Sequence, residues 1–237
     1  MNHLTIRLAI PMLLLISGMQ AATYNLVTNF NASDNPSASS TFSYGAGGTP
    51  GAFLLDNTMN LTCFSGYGTG GGACSSNGNA YPNVDSHVWN NTGSDVTIGT
   101  VIFRLTDITL DPTGTAGDIV RFTAPITGTY SVSGNFEAND TSHVTTNVFI
   151  YANSTQLFSN TVGSNGSVDP FSLSNISLSA GNTIDFIVRN SGGTDYLSTG
   201  LNGTITGPAI SSTPEPGSML LVAAVLPLFV FRKRLVR

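Results

Sequence analysis

The chain has 237 residues, only 9% of them charged, with 26 glycines, two cysteines and a formal net charge of −5. Between Thr23 and Thr213 the only cations from Lys or Arg are Arg104, Arg121 and Arg189, against twelve Asp and Glu (the 13 of the whole chain less Glu215). That balance repels phosphate backbones and sets nucleic acid aside as a partner. Gly, Ser, Thr and Asn stand where charge would be, a composition suited to an exported protein.

At the N-terminus, Arg7, the apolar stretch Leu8–Ile16 and the small residues of Ser17–Ala22 read as a secretory signal peptide over residues 1–22, too short to span a bilayer. Cleavage after Ala22 is favoured. The remainder to Thr213 is enough for one β-rich domain and does not demand two. Short β-prone pieces follow at Tyr24–Val27, Phe42–Gly45 and Ala52–Leu55, separated by Asp34-Asn35-Pro36 and by Gly47, Gly48, Pro50 and Gly51. Thr58–Gly99 then reads as a long irregular region. Within it, Cys63 and Cys74 enclose FSGYGTGGGA. In an oxidising compartment they pair most simply as a disulfide, and the spacing does not suit a metal site.

After Gly99 the pattern becomes regular. Thr100–Leu105 alternates, and Ile108–Leu110 runs into the turn Asp111-Pro112-Thr113-Gly114. Ile119–Ala124 and Gly128–Glu137 bracket Pro125–Thr127, and Tyr130, Val132, Gly134 and Phe136 share one face of the second strand. Val144–Tyr151 and Gln156–Val162, joined at Asn153-Ser154, form a hairpin. Phe171–Leu178, the alternating Ile184, Phe186 and Val188, and Leu201–Thr206 complete the series. No helix-period segment of useful length intervenes. Roughly eight to twelve short strands at turn spacing make an all-β chain, a β-sandwich over residues 23–206, with Gly207–Thr213 as linker.

No convergent set of reactive groups stands out. His87 and His143 are the only histidines beyond the signal peptide, no Gly-x-Ser-x-Gly phrase sits in a strand–turn–helix context, and Gly70-Gly71-Gly72 lacks the lysine of a phosphate loop. A two-carboxylate glycosidase would have to draw on Glu137 and aspartates, whose spacing does not suggest one. The chain therefore reads as non-enzymatic, with no cofactor. For carbohydrate contact the candidates are Trp89, Tyr81, Tyr67 and Tyr44, near Asn79, Asn83, Asp85, Asn90 and Asn91. The alternative is that Trp89 plugs the edge of the core and the tyrosines cover it. Calcium has weak candidates in Asp111 with Asp118, and in Asn139-Asp140, although an isolated Asp in a turn usually caps its own backbone.

The tail, Pro214–Arg237, has three parts in order. Pro214, Glu215 and Pro216 come first. The apolar run Met219, Leu220, Leu221, Val222, Ala223, Ala224, Val225, Leu226, Pro227, Leu228, Phe229, Val230 and Phe231 follows, then the basic stop Arg232, Lys233, Arg234 and Arg237. Those thirteen residues as a helix rise roughly 20 Å against a hydrocarbon core of roughly 30 Å. Gly217, Ser218, Leu235 and Val236 lengthen the span, and the Arg and Lys stems can snorkel. Positive charge after the run predicts a cytoplasmic C-terminus.

This order resembles the PEP-CTERM sorting signal of Gram-negative bacteria, a tail also catalogued as an ice-binding-protein C-terminal domain. The resemblance implies a transient membrane anchor, cleaved near Pro214–Pro216 by an exosortase-type enzyme that delivers the protein to the cell surface or extracellular matrix. Ice binding itself lacks the Thr arrays and short repeat period it would need. In the middle, FSYG, DIVRFTAPITGTYSVSGNF and SLSAGNTIDFIV resemble the jelly-roll domain common in PEP-CTERM proteins, and similar phrasing occurs in carbohydrate-binding β-sandwich modules. The implied role is structural or adhesive in a polysaccharide matrix. A lectin-like module is the alternative, and a polysaccharide hydrolase comes third.

Overall fold

The computed structural model describes residues 20–31, 35, 40–81, 84–112, 117–193 and 195–209. Residues 1–19 of the signal peptide expected over 1–22, the sorting motif, the expected anchor and the basic stop lie outside them, so the fold concerns the compact unit Ala21–Pro208. In chain order the strands are β1 (Ala22–Asn25), β2 (Phe42–Ala46), β3 (Leu54–Leu55), β4 (Thr58–Asn60), β5 (Ala73–Tyr81), β6 (Val84–Trp89), β7 (Val96–Ile98) and β8 (Val101–Phe103). They continue as β9 (Ile108–Leu110), β10 (Gly117–Thr123), β11 (Gly128–Ala138), β12 (Thr146–Ala152), β13 (Thr155–Val162), β14 (Val168–Leu178), β15 (Thr183–Asn190) and β16 (Thr199–Gly207).

Three antiparallel sheets result. The large one runs β14-β11-β16-β9-β6-β5-β4, with β1 also pairing β16; the second runs β13-β12-β15-β10-β2-β3; β7 and β8 form a small hairpin. Period-2 alternation dictates how the two larger sheets meet. Tyr130, Val132, Phe136, Leu201 and Ile205 of the large sheet face Phe122, Phe186, Val188, Val148 and Ile150 of the other, all buried in one cluster. Aromatic edges knit the layer: Phe171 lies 5.4 Å from Phe136 and 5.9 Å from Phe186, centroid to centroid. A β-bulge at Tyr130/Val132 interrupts the β11–β14 register. On the outer face of the second sheet, Arg121 forms a two-pronged pair with the cross-strand Asp185 at 2.7 and 2.9 Å. It also donates to the Pro50 carbonyl at 2.8 Å and covers the Phe53 ring, fastening the 3-10 turn Pro50–Ala52 to the sheet.

Thr58–Gly99, expected to be irregular, instead carries β4, β5, β6 and β7. The alternation was invisible because β5 puts Ala73 and Ser75 inward, opposite Trp89 and His87 of β6, where a polar pair rather than a hydrophobic face fills the interior. The outward side of β5 and β6 carries a second small core. There Cys63, Phe64, Cys74 and Val88 pack with Val96, Ile98, Val101 and Phe103. Cys63 and Cys74 are joined as a disulfide, closing that lobe. The last strand runs through Gly207, one residue further than the sequence pattern suggested, and Ala22 already pairs with that glycine.

Candidate functional site

Two polar clusters and one groove stand out. The first cluster is inside the sandwich. The Asp56 carboxylate accepts from Ser75 Oγ at 2.8 Å and from His87 Nδ1 at 3.0 Å, with all three side chains buried. Burial works against a charge on His87, but Asp56, with Asp118 behind it, outweighs burial and raises the imidazole pKa. Ser, His and Asp are the residue types of a hydrolytic triad. Here the carboxylate sits between serine and histidine, so the imidazole does not face the hydroxyl as a general base must. The cluster braces the fold.

The second cluster lies on the outer face of the large sheet. Asn139 Nδ2 donates to Asp107 Oδ1 at 3.2 Å, to Asp107 Oδ2 at 3.1 Å and to Thr109 Oγ1 at 3.1 Å. Arg104 pairs with Glu137 at 2.9 Å and donates to Asn139 Oδ1 at 3.2 Å. Asp107 sits on Gly200, where an added Cβ would strike Asp107 Oδ2 and approach Asn139 Nδ2 to 2.7 Å. Burial pushes the Asp107 carboxyl up to about 7, against the pull of Asn139.

The groove adjoins this second cluster and follows from strand lengths. One side of β16 is paired to β9 over Thr199–Leu201 and to β1 over Thr204–Gly207. The two short strands do not meet: beyond Asn25 the Leu26 N–H still reaches the Gly203 carbonyl at 2.9 Å, and the break falls at Asn202. The gap is a groove of about 400 Å³ whose walls include Asn25, Thr28, Leu105, Ser133, Asn202 and Thr204. None of its lining residues is charged. Its rim is fixed in place: Asn25 Oδ1 accepts from Val27 and Thr28 N–H, and the Leu105 N–H donates to Asp95 Oδ1 at 3.0 Å. Leu105 is exposed, an apolar surface beside a row of hydroxyls and amides.

The aromatic residues singled out from the sequence do not form one exposed platform. Tyr44 is 1% exposed, its ring 4.5 Å from Phe30 and 5.6 Å from His87, so it cannot stack on a sugar; this corrects its assignment as a contact. Trp89 points inward at the core edge, 6.1 Å from Phe30. Tyr67 is exposed, on the 3-10 turn of the disulfide lobe. Tyr81 ends β5, and its side chain lies outside the described set.

Of the calcium candidates, Asp111 accepts from Ser198 Oγ at 3.1 Å and Asp118 is buried on β10. Asp140 accepts from Thr100 Oγ1 at 2.9 Å and from its own turn at Ser142 N–H. Among the described residues no group of three or more His, Cys, Asp or Glu is arranged to hold a metal. The groove residues Leu105, Ser133 and Asn202 had no local signal in the sequence, because the gap depends on where two distant strands end.

No protein-family model matches the chain, and no curated protein matches it. Among solved structures, the chain is similar over part of its length to a GH26-CBM35 β-(1,4)-mannanase of Podospora anserina: 18% identity, 46% of this chain and 22% of that one, TM-score 0.29. Less than a quarter of that enzyme's length is spanned. It is also similar to the CBM36-1 domain of a multidomain xylanase from the hindgut metagenome of Trinervitermes trinervoides, at 13% identity, over 44% of this chain and 79% of that one, TM-score 0.30. A family 35 carbohydrate binding module from Clostridium thermocellum shares 10% identity over 62% and 89% of the two chains, TM-score 0.28. Scores this low carry no ligand, activity or site over to this chain.

Proposed function

We propose that this protein is an exported carbohydrate-binding β-sandwich, carried to the cell surface or extracellular matrix by its PEP-CTERM-like tail and holding matrix polysaccharide in the groove of the large sheet. The observation that supports the reading is the groove beside the break at Asn202. It combines amide and hydroxyl side chains with an exposed leucine, and its rim is held by backbone N–H groups donating to the side-chain oxygens of Asn25 and Asp95. Sugars present the matching surface, hydroxyl edges around apolar C–H faces, and a rim already ordered spares part of the entropy lost on binding. An exosortase-type enzyme would process the tail near Pro214–Pro216, and the apolar run Met219–Phe231 would anchor the chain only until then.

Retention of the exported protein on the producer's own polysaccharide tests the reading, with Asn202→Ala and Leu105→Ala as variants. Both changes lie on the groove wall, so a folded double variant is expected to lose retention by tenfold or more, about 1.4 kcal/mol. Equal retention by wild type and double variant refutes the site. Mass spectrometry of both termini of the mature protein tests the delivery route: Met1 and Arg237 together on the native product would refute it.

A further inference from the structure

We infer that the groove selects uncharged sugar residues and turns away uronate and other acidic glycans; this rests on the carbohydrate-binding reading above. Recognition of an anionic sugar needs a cation within reach of the ligand, ideally an arginine fork matched to its carboxylate. The domain has three Arg or Lys side chains in all, and each is engaged. Arg121 is tied to Asp185 and the Pro50 carbonyl on the other sheet. Arg189, also on that sheet, lies over the Phe149 ring at 4.1 Å. His87 and His143 are buried, and His143 Nδ1 is held by the Gly163 carbonyl.

Only Arg104 adjoins the groove, through its neighbour Leu105, and its guanidinium is paired with Glu137 at 2.9 Å. Asp107 and Asp95 belong to the same neighbourhood as that pair. The field beside the groove is therefore neutral to negative, in a domain whose acidic groups outnumber its arginines twelve to three. A carboxylated sugar would meet repulsion with no compensating ion pair, whereas a neutral pyranose meets only amides, hydroxyls and leucine.

The experiment is affinity electrophoresis of the exported protein in gels containing xylan, mixed-linkage β-glucan, alginate or polygalacturonate. At least one neutral polymer is expected to retard the protein, and neither acidic polymer is. Because no ion pair is involved, retardation should change less than about twofold between roughly 50 and 500 mM NaCl. Retardation by alginate or polygalacturonate that fades with salt overturns the selectivity but leaves carbohydrate binding intact. No retardation in any gel overturns both. Glu137→Gln leaves the Arg104 charge uncompensated while its bond to Asn139 remains, and the variant is expected to gain salt-sensitive retardation in the acidic gels of at least about threefold. A folded variant that still ignores both acidic polymers would overturn the role given to the Arg104–Glu137 pair.

Discussion

Asp107 offers the sharpest test of the polar cluster on the large sheet. Its side chain is 3% exposed beneath Asn139, and its carboxyl is raised from 3.8 to about 7, chiefly by burial. The folded protein therefore holds a proton there that the unfolded chain releases near pH 4. A raised acid contributes its full stability below the unfolded pKa and loses it as pH climbs to the folded one. At about 1.36 kcal/mol per pH unit, the gap amounts to on the order of 4 kcal/mol, lost between about pH 4 and pH 7. Asp107→Asn keeps the shape of the protonated acid and cannot ionise. Urea unfolding at pH 4, 5.5, 7 and 8 should give similar stabilities for both proteins at pH 4, with the variant the more stable by several kcal/mol at pH 8. His87 is also raised, and its contribution is lost only as pH climbs above 6.5, but this happens in both proteins and cancels in the difference. Parallel pH profiles for wild type and variant would refute the reasoning.

Three further outcomes follow from the packing. Replacing Cys63 and Cys74 by serine opens a loop of sequence separation 11 and should cost about 3 kcal/mol in denaturant unfolding, an effect reproduced by reductant on the wild type. Gly134→Ala would push a methyl to within 2.6 Å of Gly203 Cα and 2.8 Å of the Phe171 ring, so a loss of about 3 kcal/mol or failure to fold is expected. Trp89→Ala should destabilise the domain by about 3 kcal/mol while its folded fraction still binds polysaccharide, since Trp89 supports the core rather than the groove. A folded Trp89→Ala protein that no longer binds would move the site to β6.

The sequence and the structure agree best where one face of a strand is plainly apolar. Tyr130, Val132 and Phe136 turn inward as their spacing required, and the hairpin turns at Asn153-Ser154, with Asn153 at φ 53°. They part company where the interior is polar. In β5 the inward residues are Ala73 and Ser75, and the partner across the pair is a histidine held by Asp56, so nothing in ACSSNGNAY signals a buried strand. Aromatic residues near Asn and Asp suggested a sugar platform, yet Tyr44 belongs to β2 and turns into the sandwich. The groove was illegible for a different reason. It comes from β1 and β9 abutting the same side of β16 without touching, a relation between segments more than eighty residues apart.

The most direct test of the central claim is amide chemical-shift mapping of the exported protein titrated with neutral oligosaccharide. The expected result is a contiguous set of saturable shifts at Leu105, Ser133 and Asn202–Thr204, together with the Asn25–Thr28 rim. Saturable shifts confined to Tyr67 and the disulfide lobe, with the Asn202 neighbourhood silent, would contradict it.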